Sequence, residues 1–304
     1  MFSAVGGRQL VHLIDPARID FRPGFFVRGL PRQRPYDAMQ TFADWLAQDA
    51  APADFSRTGL VFHVSRCGST LLAQNLKASG ALVLSEPPFM RLLRTRLDDT
   101  IDAATAAAAV ARVVGQWQDW AQGQGKRLVI KLNSQMHEWC DAILAALPGA
   151  AALFLHRDPA PVFESIERGP PQYLRRDLAQ QRHRADPALA ATHDDPLLLA
   201  AAARYCGAIE TMAGRQDKVH MLAYPDLAAS FAQVCTVLGL TQGGAPEWNA
   251  AIDAKAQRPD TAAPYRPVGS ERLALFRENH AGMLALVEPR YRNFLQAIGA
   301  GVRT

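Results

Sequence analysis

The stretch Leu60-Val61-Phe62-His63-Val64-Ser65-Arg66-Cys67-Gly68-Ser69-Thr70-Leu71-Leu72 decides how the rest of the chain is read. A short apolar run stops at a turn of small and hydroxylated residues and passes into Leu71–Ser79, whose spacing predicts a helix. A buried strand feeding a tight glycine turn into a helix aims several backbone N–H groups at one point, with the helix dipole behind them. That is an anion site. Arg66 adds a fixed positive charge, and Ser69 and Thr70 add hydroxyl donors. The plainer alternative is an ordinary βα turn capped by Ser69 or Thr70.

The same alternation recurs on either side. Leu82–Leu84 is a second apolar run, ending in Ser85-Glu86-Pro87, and an Ala-rich helix is expected from Ile101 to Ala121. Leu128–Leu132 and Ala152–His156 read as buried strands with a helix, Glu138–Leu147, between them. Val219–Ala223 reads as a further strand, followed by a helix from Asp226 to Leu238. Strands alternating with helices imply βαβ units, so the fold class is α/β, a three-layer P-loop-like fold with a central parallel sheet. Ligands of such sheets bind at the carboxyl ends of the strands, which directs attention to the residues just after each one.

Residues 1–50 read as an N-terminal arm and helix packed on the body. The arm is an irregular Pro-, Gly- and Arg-rich stretch over 1–35 with a short strand at Val11–Ile14. The helix spans Tyr36–Gln48, from the spacing of Met39, Phe42, Trp45 and Leu46. Residues 51–304 form the α/β domain. Within it, 169–196 carries Pro170-Pro171, Arg175-Arg176, Arg182-His183-Arg184 and Asp194-Asp195, and reads as either an acceptor-binding lid or a solvated surface helix.

Composition narrows the class of function. Of 304 residues, 49% are hydrophobic and 20% charged, which excludes disorder and a fibrous repeat. The net charge of +4, from 33 Lys and Arg against 29 Asp and Glu, is too thin for a nucleic-acid protein but suits a small anionic ligand. Cys67, Cys140, Cys206 and Cys235 show neither CxxC pairing nor metal-ligand spacing, so reduced thiols and no metal are expected. Met1–Gly7 lacks the basic start of an export signal. The longest apolar run, Ile143–Leu155, is broken by Pro148-Gly149 and falls short of the ~20 residues of a membrane helix. The expectation is a cytoplasmic protein with no membrane span.

The kind of anion site can be narrowed too. A Walker A loop needs glycine where His63 stands and lysine where Ser69 stands, so an ATPase or ordinary P-loop kinase lacks its defining cation. A cysteine phosphatase would place an arginine about six residues after Cys67, where this chain has Ala73. Cys67 therefore reads as a small loop residue.

Taken together, Ser65-Arg66-Cys67-Gly68-Ser69-Thr70-Leu71-Leu72 resembles the 5′-phosphosulfate loop of sulfotransferases that use 3′-phosphoadenosine-5′-phosphosulfate (PAPS). A second stretch, Leu153-Phe154-Leu155-His156-Arg157-Asp158-Pro159 running on to Ser165, is similar to that family's 3′-phosphate site, an Arg and a Ser eight residues apart. Asp158-Pro159 is a good helix start, so Ser165 falls in the first turns of the helix that Arg157 precedes. A third, Ala223-Tyr224-Pro225-Asp226-Leu227, resembles the segment whose Tyr lies beside the adenine.

The resemblance departs from the cytosolic aryl branch and points to the bacterial and tyrosylprotein-like branch. Leu71 stands where that branch stacks a Trp on adenine, and Lys131-Leu132-Asn133 replaces its Lys-x-His. Its C-terminal Arg-Lys-Gly becomes Tyr265-Arg266-Pro267-Val268-Gly269, with Arg266 left as a contact to the 3′-phosphate. Without that His, the base implied by the tyrosylprotein-type enzymes is Glu86, and His137 is the alternative. A helix-start glutamate paired with Arg91 or Arg94 is the plainer account of Glu86. His63 and His156 read as core histidines.

The resemblance implies a sulfotransferase moving a sulfuryl group from PAPS to a hydroxyl or amine of a small-molecule, sugar or peptide acceptor, releasing adenosine 3′,5′-bisphosphate. Arg66, Cys67, Gly68, Ser69, Thr70 and Leu71 would hold the 5′-phosphosulfate, and Arg157, Ser165, Tyr224 and Arg266 the rest of the nucleotide. Lys131 would steady charge on the bridging oxygen. A kinase-like phosphotransferase and a non-catalytic nucleotide-binding protein on the same fold are the competing readings.

Overall fold

Apolar runs too short for helices fold into strands wherever a neighbour can take up their backbone hydrogen bonds. Among the described residues of the computed structural model there are eight strands: β1 (Phe2–Val5), β2 (Arg8–Leu13), β3 (Ala38–Thr41), β4 (Thr58–His63), β5 (Leu82–Ser85), β6 (Leu128–Lys131), β7 (Ala151–His156) and β8 (His220–Ala223). The structure describes residues 2–5, 8–33, 36–48, 54–94, 101–179, 186–240, 246–252 and 269–300. The last five strands form one sheet in the order β5-β6-β4-β7-β8, and helices separate them along the chain. The fold is α/β with a central sheet. Its β4–β6 and β5–β6 pairs are parallel, in registers Leu60↔Ile130 and Leu84↔Ile130. Every residue of β4, β5 and β6 is buried, as the apolar runs that make up most of each require of strands covered on both faces.

The chain divides into two compact units. One comprises Met1–Phe62, Thr70–Leu153 and Ala228–Pro264, the other His63–Ser69, Phe154–Leu227 and Tyr265–Thr304. In the first, the helix Ala103–Gly123 packs on β6 and on the helix Cys140–Ala146. Thr58 donates to Gln118 Oε1 at 2.8 Å in the buried seam beside β4. In the second, the helices Pro159–Arg168, Pro196–Met212 and Ala281–Ala297 pack on one another.

Four sequence-based expectations need correction. The first 35 residues are not irregular throughout: β1, β2 and β3 form an antiparallel sheet, with Phe2 opposite Val11 and Met39 opposite His12. The helix expected over Tyr36–Gln48 shrinks to Phe42–Leu46, because Ala38–Thr41 pairs with β2 and Thr41 caps the helix by accepting from Asp44 N–H. The helix expected from Asp226 begins only at Phe231. Tyr224–Asp226 closes instead into a separate 3-10 turn, with the Leu227 N–H donating to the Tyr224 carbonyl. Likewise a 3-10 helix, Ser134–Trp139, precedes Cys140–Ala146.

His156 ends β7 at 1% exposure, with Phe294 at 5.0 Å between ring centroids and the Tyr291 hydroxyl 3.0 Å from its Nδ1. Burial lowers its pKa to about 4. The folded chain therefore keeps His156 neutral over a range where the unfolded chain, titrating near 6.5, takes up a proton. Stability is full above the unfolded pKa and is lost as pH falls from about 6.5 to about 4, by about 3 kcal/mol in all. Denaturant unfolding at pH 7 and pH 4.5 should show this loss in the wild type and a markedly flatter response in His156→Phe; equal slopes would refute it.

Candidate active site

The turn after β4 is held by two left-handed residues. Arg66 has φ 58° and Gly68 φ 83°, and the helix Ser69–Ala78 begins directly after them. Among the described residues Arg66 and Glu86 are the two non-glycine residues with positive φ. Each such conformation costs about 1–2 kcal/mol, so its occurrence marks a backbone that the surrounding structure dictates.

Arg66 is fastened at both ends. Its guanidinium Nη2 donates to the carbonyl of Gly169, at the end of the helix Pro159–Arg168, and its own carbonyl accepts from Arg157 Nη1 at 3.2 Å. The Arg157 guanidinium in turn lies 4.3 Å over the Tyr224 ring, and the Arg157 carbonyl accepts from the buried Tyr205 hydroxyl at 2.6 Å. Tyr224 closes the circle. A Cβ on Gly68 would come within 2.6 Å of Cδ2 of its ring. The second unit thus brings Arg66, Gly68, Arg157 and Tyr224 together, although they come from three separate stretches of chain. Two guanidiniums beside a glycine turn make a preorganised cationic cradle, and the planar fork of Arg157, steadied on an aromatic face, suits phosphate.

The other residues of these stretches take lesser places. Cys67 is fully buried, Ser69 and Leu71 are nearly so, and Thr70 is half-buried. Ser165 lies half-buried in the second turn of the helix Pro159–Arg168, whose start is capped as expected by Asp158 accepting from Ala160 N–H at 3.0 Å. Arg266 lies outside the described residues. Of the 169–196 stretch, Gln172–Ala179 and Pro187–Ala190 are helical, and residues 180–185, with Arg182-His183-Arg184, also lie outside them.

The first unit holds a second constellation at the carboxyl ends of β5 and β6. Glu86, at φ 55°, is gripped from both sides by Lys131. Its N–H donates to the Lys131 carbonyl at 2.6 Å, and its Oε1 accepts from Lys131 Nζ at 2.5 Å. Asn133 Nδ2 lies 3.3 Å from Oε2. Left-handed backbone is disfavoured twice over here, since Pro87 follows and pushes its predecessor toward extended conformations. Lys131 is 1% exposed, so its ammonium needs this carboxylate. Glu86 keeps partial access to solvent, its side chain 23% exposed. His137 is buried, with its Nδ1 2.8 Å from the Ser134 carbonyl.

Sequence reasoning missed two neighbours of this pair. The Phe25 ring lies 5.5 Å from Lys131 Nζ, and Lys77 donates to the Pro23 carbonyl at 2.7 Å. Burial lowers the Lys77 pKa to about 8, opposed by the charge of Asp20 and aided to a lesser extent by that of Lys131. Nothing in the sequence set Lys77 apart, because a lysine in the last turn of a helix is the ordinary complement of the dipole.

No protein-family model matches the chain, and no curated protein matches it. Solved structures do. The chain is similar to a sulfotransferase from Alicyclobacillus acidocaldarius, at 15% identity and a TM-score of 0.45 over 81% of this chain and 97% of that one. It is similar to the sulfotransferase domain from the curacin biosynthetic pathway, at 14% identity and 0.42 over 81% and 99%. A third likeness, at 17% and 0.38 over 77% and 98%, is to the sulfotransferase domain of the Synechococcus PCC 7002 olefin synthase. Among the described residues no helix is long and apolar enough to cross a membrane.

Removing one member of a buried ion pair strands the other. Glu86→Ala should cost about 3 kcal/mol in denaturant unfolding, while Glu86→Gln combined with Lys131→Met should recover most of that loss. A Glu86→Ala penalty under about 1 kcal/mol would show that the pair does not hold the two strand ends.

Proposed function

We propose that the chain is a PAPS-dependent sulfotransferase that acts on a hydroxyl or amine and releases adenosine 3′,5′-bisphosphate. The observation that carries the reading is the interlock of Arg66, Gly68, Arg157 and Tyr224, which turns three separate sequence motifs into one cationic, aromatic-flanked cradle. Arg66 and the backbone of Gly68, Ser69 and Thr70 serve the 5′-phosphosulfate, with Cys67 and Leu71 as packing around them. Arg157 and Ser165, with Arg266, serve the 3′-phosphate, and Tyr224 the adenine.

In the chemical step the acceptor oxygen forms a bond to sulfur while the bond from sulfur to the bridging phosphate oxygen breaks, its electron pair leaving with the bisphosphate. The acceptor's proton goes to Glu86. Positioning and neutralisation of developing charge supply most of the rate, as in phosphoryl transfer. The close contact between Glu86 and Lys131 couples the two tasks. Once Glu86 is protonated, the Lys131 ammonium has lost its counter-charge and is available to offset negative charge on the leaving oxygen. The strained backbone at Glu86 supports a functional role for that carboxylate beside its pairing with Lys131. Cys67, Cys140, Cys206 and Cys235 are all buried.

Calorimetric titration with adenosine 3′,5′-bisphosphate tests the donor site. Tight binding is expected for the wild type, weakened roughly 10- to 100-fold in Arg157→Ala. Glu86→Gln should keep that affinity and lose about 10²–10⁴ in turnover. Preference for ATP with Mg²⁺, or no binding of either nucleotide, would overturn the reading.

A further inference from the structure

Outside the cradle, three titratable side chains of the second unit meet in one line. His193 lies in the turn between the helices Pro187–Ala190 and Pro196–Met212, His280 at the junction of the helices Ser270–Asn279 and Ala281–Ala297, and Glu167 in the last turn of Pro159–Arg168. The Asp195 N–H donates to His193 Nδ1 at 2.8 Å, His193 Nε2 lies 2.7 Å from His280 Nδ1, and His280 Nε2 lies 2.9 Å from Glu167 Oε1. The two rings stand 4.7 Å apart between centroids, and His280, 8% exposed, rests on the Phe276 ring at 4.3 Å.

The backbone amide decides where the protons sit. An N–H can only donate, so His193 Nδ1 has to offer its lone pair, and the neutral ring carries its proton on Nε2. That proton points at His280 Nδ1, which must accept it, and this leaves the His280 proton on Nε2, facing the Glu167 carboxylate. All three bonds are made when both rings are neutral. No placement of one further proton on the rings keeps them all. On His193 Nδ1 it opposes the Asp195 N–H. On His280 Nδ1 it opposes the His193 N–H, and turning His193 to its other tautomer only moves the conflict back to Asp195. The bond to Glu167 meanwhile becomes an ion pair, so the loss falls on the side of the turn. A second proton sets two cations side by side.

The surrounding charges do not repair this. Among the described residues Arg168 and Arg272 pair with Glu164, Arg277 with Glu288 and Asp158, and Arg290 with Asp186 and Glu210. Asp194 and Glu278, beside the two histidines in the chain, are exposed. The Asp195 carboxylate caps the following helix by accepting from Leu197 N–H at 2.8 Å, so Pro196–Met212 keeps its start whatever the histidines do. The Asp186–Arg290 pair and the buried Leu189 hold the other end of the segment. What protonation loosens is therefore the turn over 191–195.

We propose that His193, His280 and Glu167 form a pH-operated latch, which fastens this turn to the helix junction at His280 in neutral solution and lets it go in mild acid. The latch does not rest on the sulfotransferase reading, since none of its three residues belongs to the cradle.

Two measurements on the full chain test it. At pH 7.5, long-range proton–nitrogen NMR should find the proton on Nε2 of both rings; a proton on Nδ1 of either would overturn the relay. Amide exchange at Thr192 and Asp195, corrected for the pH dependence of exchange in free peptides, should speed up at least tenfold between pH 7.5 and pH 5.5. In His280→Phe, which keeps a ring against Phe276 and removes the relay, both amides should exchange at the fast rate at either pH. The two proteins share the response of His156, so the difference between them reads the latch alone. Should that variant fail to fold by thermal melting, His193→Leu carries the same expectation. Exchange in the wild type that does not change with pH, or the same acceleration in a folded variant, would overturn the proposal.

Discussion

A lysine ammonium at 1% exposure is the constraint from which the first unit's chemistry follows. Lys131 sits at the carboxyl end of a strand buried on both faces, so its charge has no water to turn to, and a carboxylate has to be brought to it. Glu86 is brought there at the expense of a left-handed backbone before a proline. The hydrogen bond from its N–H to the Lys131 carbonyl locks that conformation in place. The resulting carboxylate is held in one orientation by Lys131 and is still partly open to solvent.

The second unit solves a different problem by similar means. There the requirement is to hold like charges near one another without their dispersing. Arg66 spends its guanidinium on the Gly169 carbonyl, and Arg157 spends part of its own on the Arg66 carbonyl and part on the Tyr224 face. Neutral acceptors and an aromatic face are among the contacts that fix the two guanidiniums in place. Gly68 is required on two independent grounds, its positive φ and the closeness of the Tyr224 ring, so a side chain there would break the turn and displace the ring together.

Much of this was legible in the residues themselves. The β4 turn, the Asp158 cap and the strand at Ala151–His156 follow from local rules: an apolar run of strand length, a glycine where φ must be positive, an Asp-Pro where a helix starts. The largest misreading was non-local. Met39, Phe42, Trp45 and Leu46 have helical spacing, yet residues 38–41 are a strand, because β2 offers them an unpaired edge that no window of sequence displays. Lys77 and Phe25 were invisible for the same reason. Their relation to Lys131 spans more than fifty residues on one side and a hundred on the other.

The sequence by itself determined the alternation of strands and helices, the glycine turn and the types of side chain that stand after each strand, since each depends on near neighbours along the chain. Only the tertiary structure decided that Arg157 rests on Tyr224 and props the Arg66 carbonyl, that Glu86 pairs with Lys131, and that His193 meets His280. Those outcomes depend on which distant groups meet when buried surface is maximised and every enclosed charge has to find its opposite, and no local pattern encodes that.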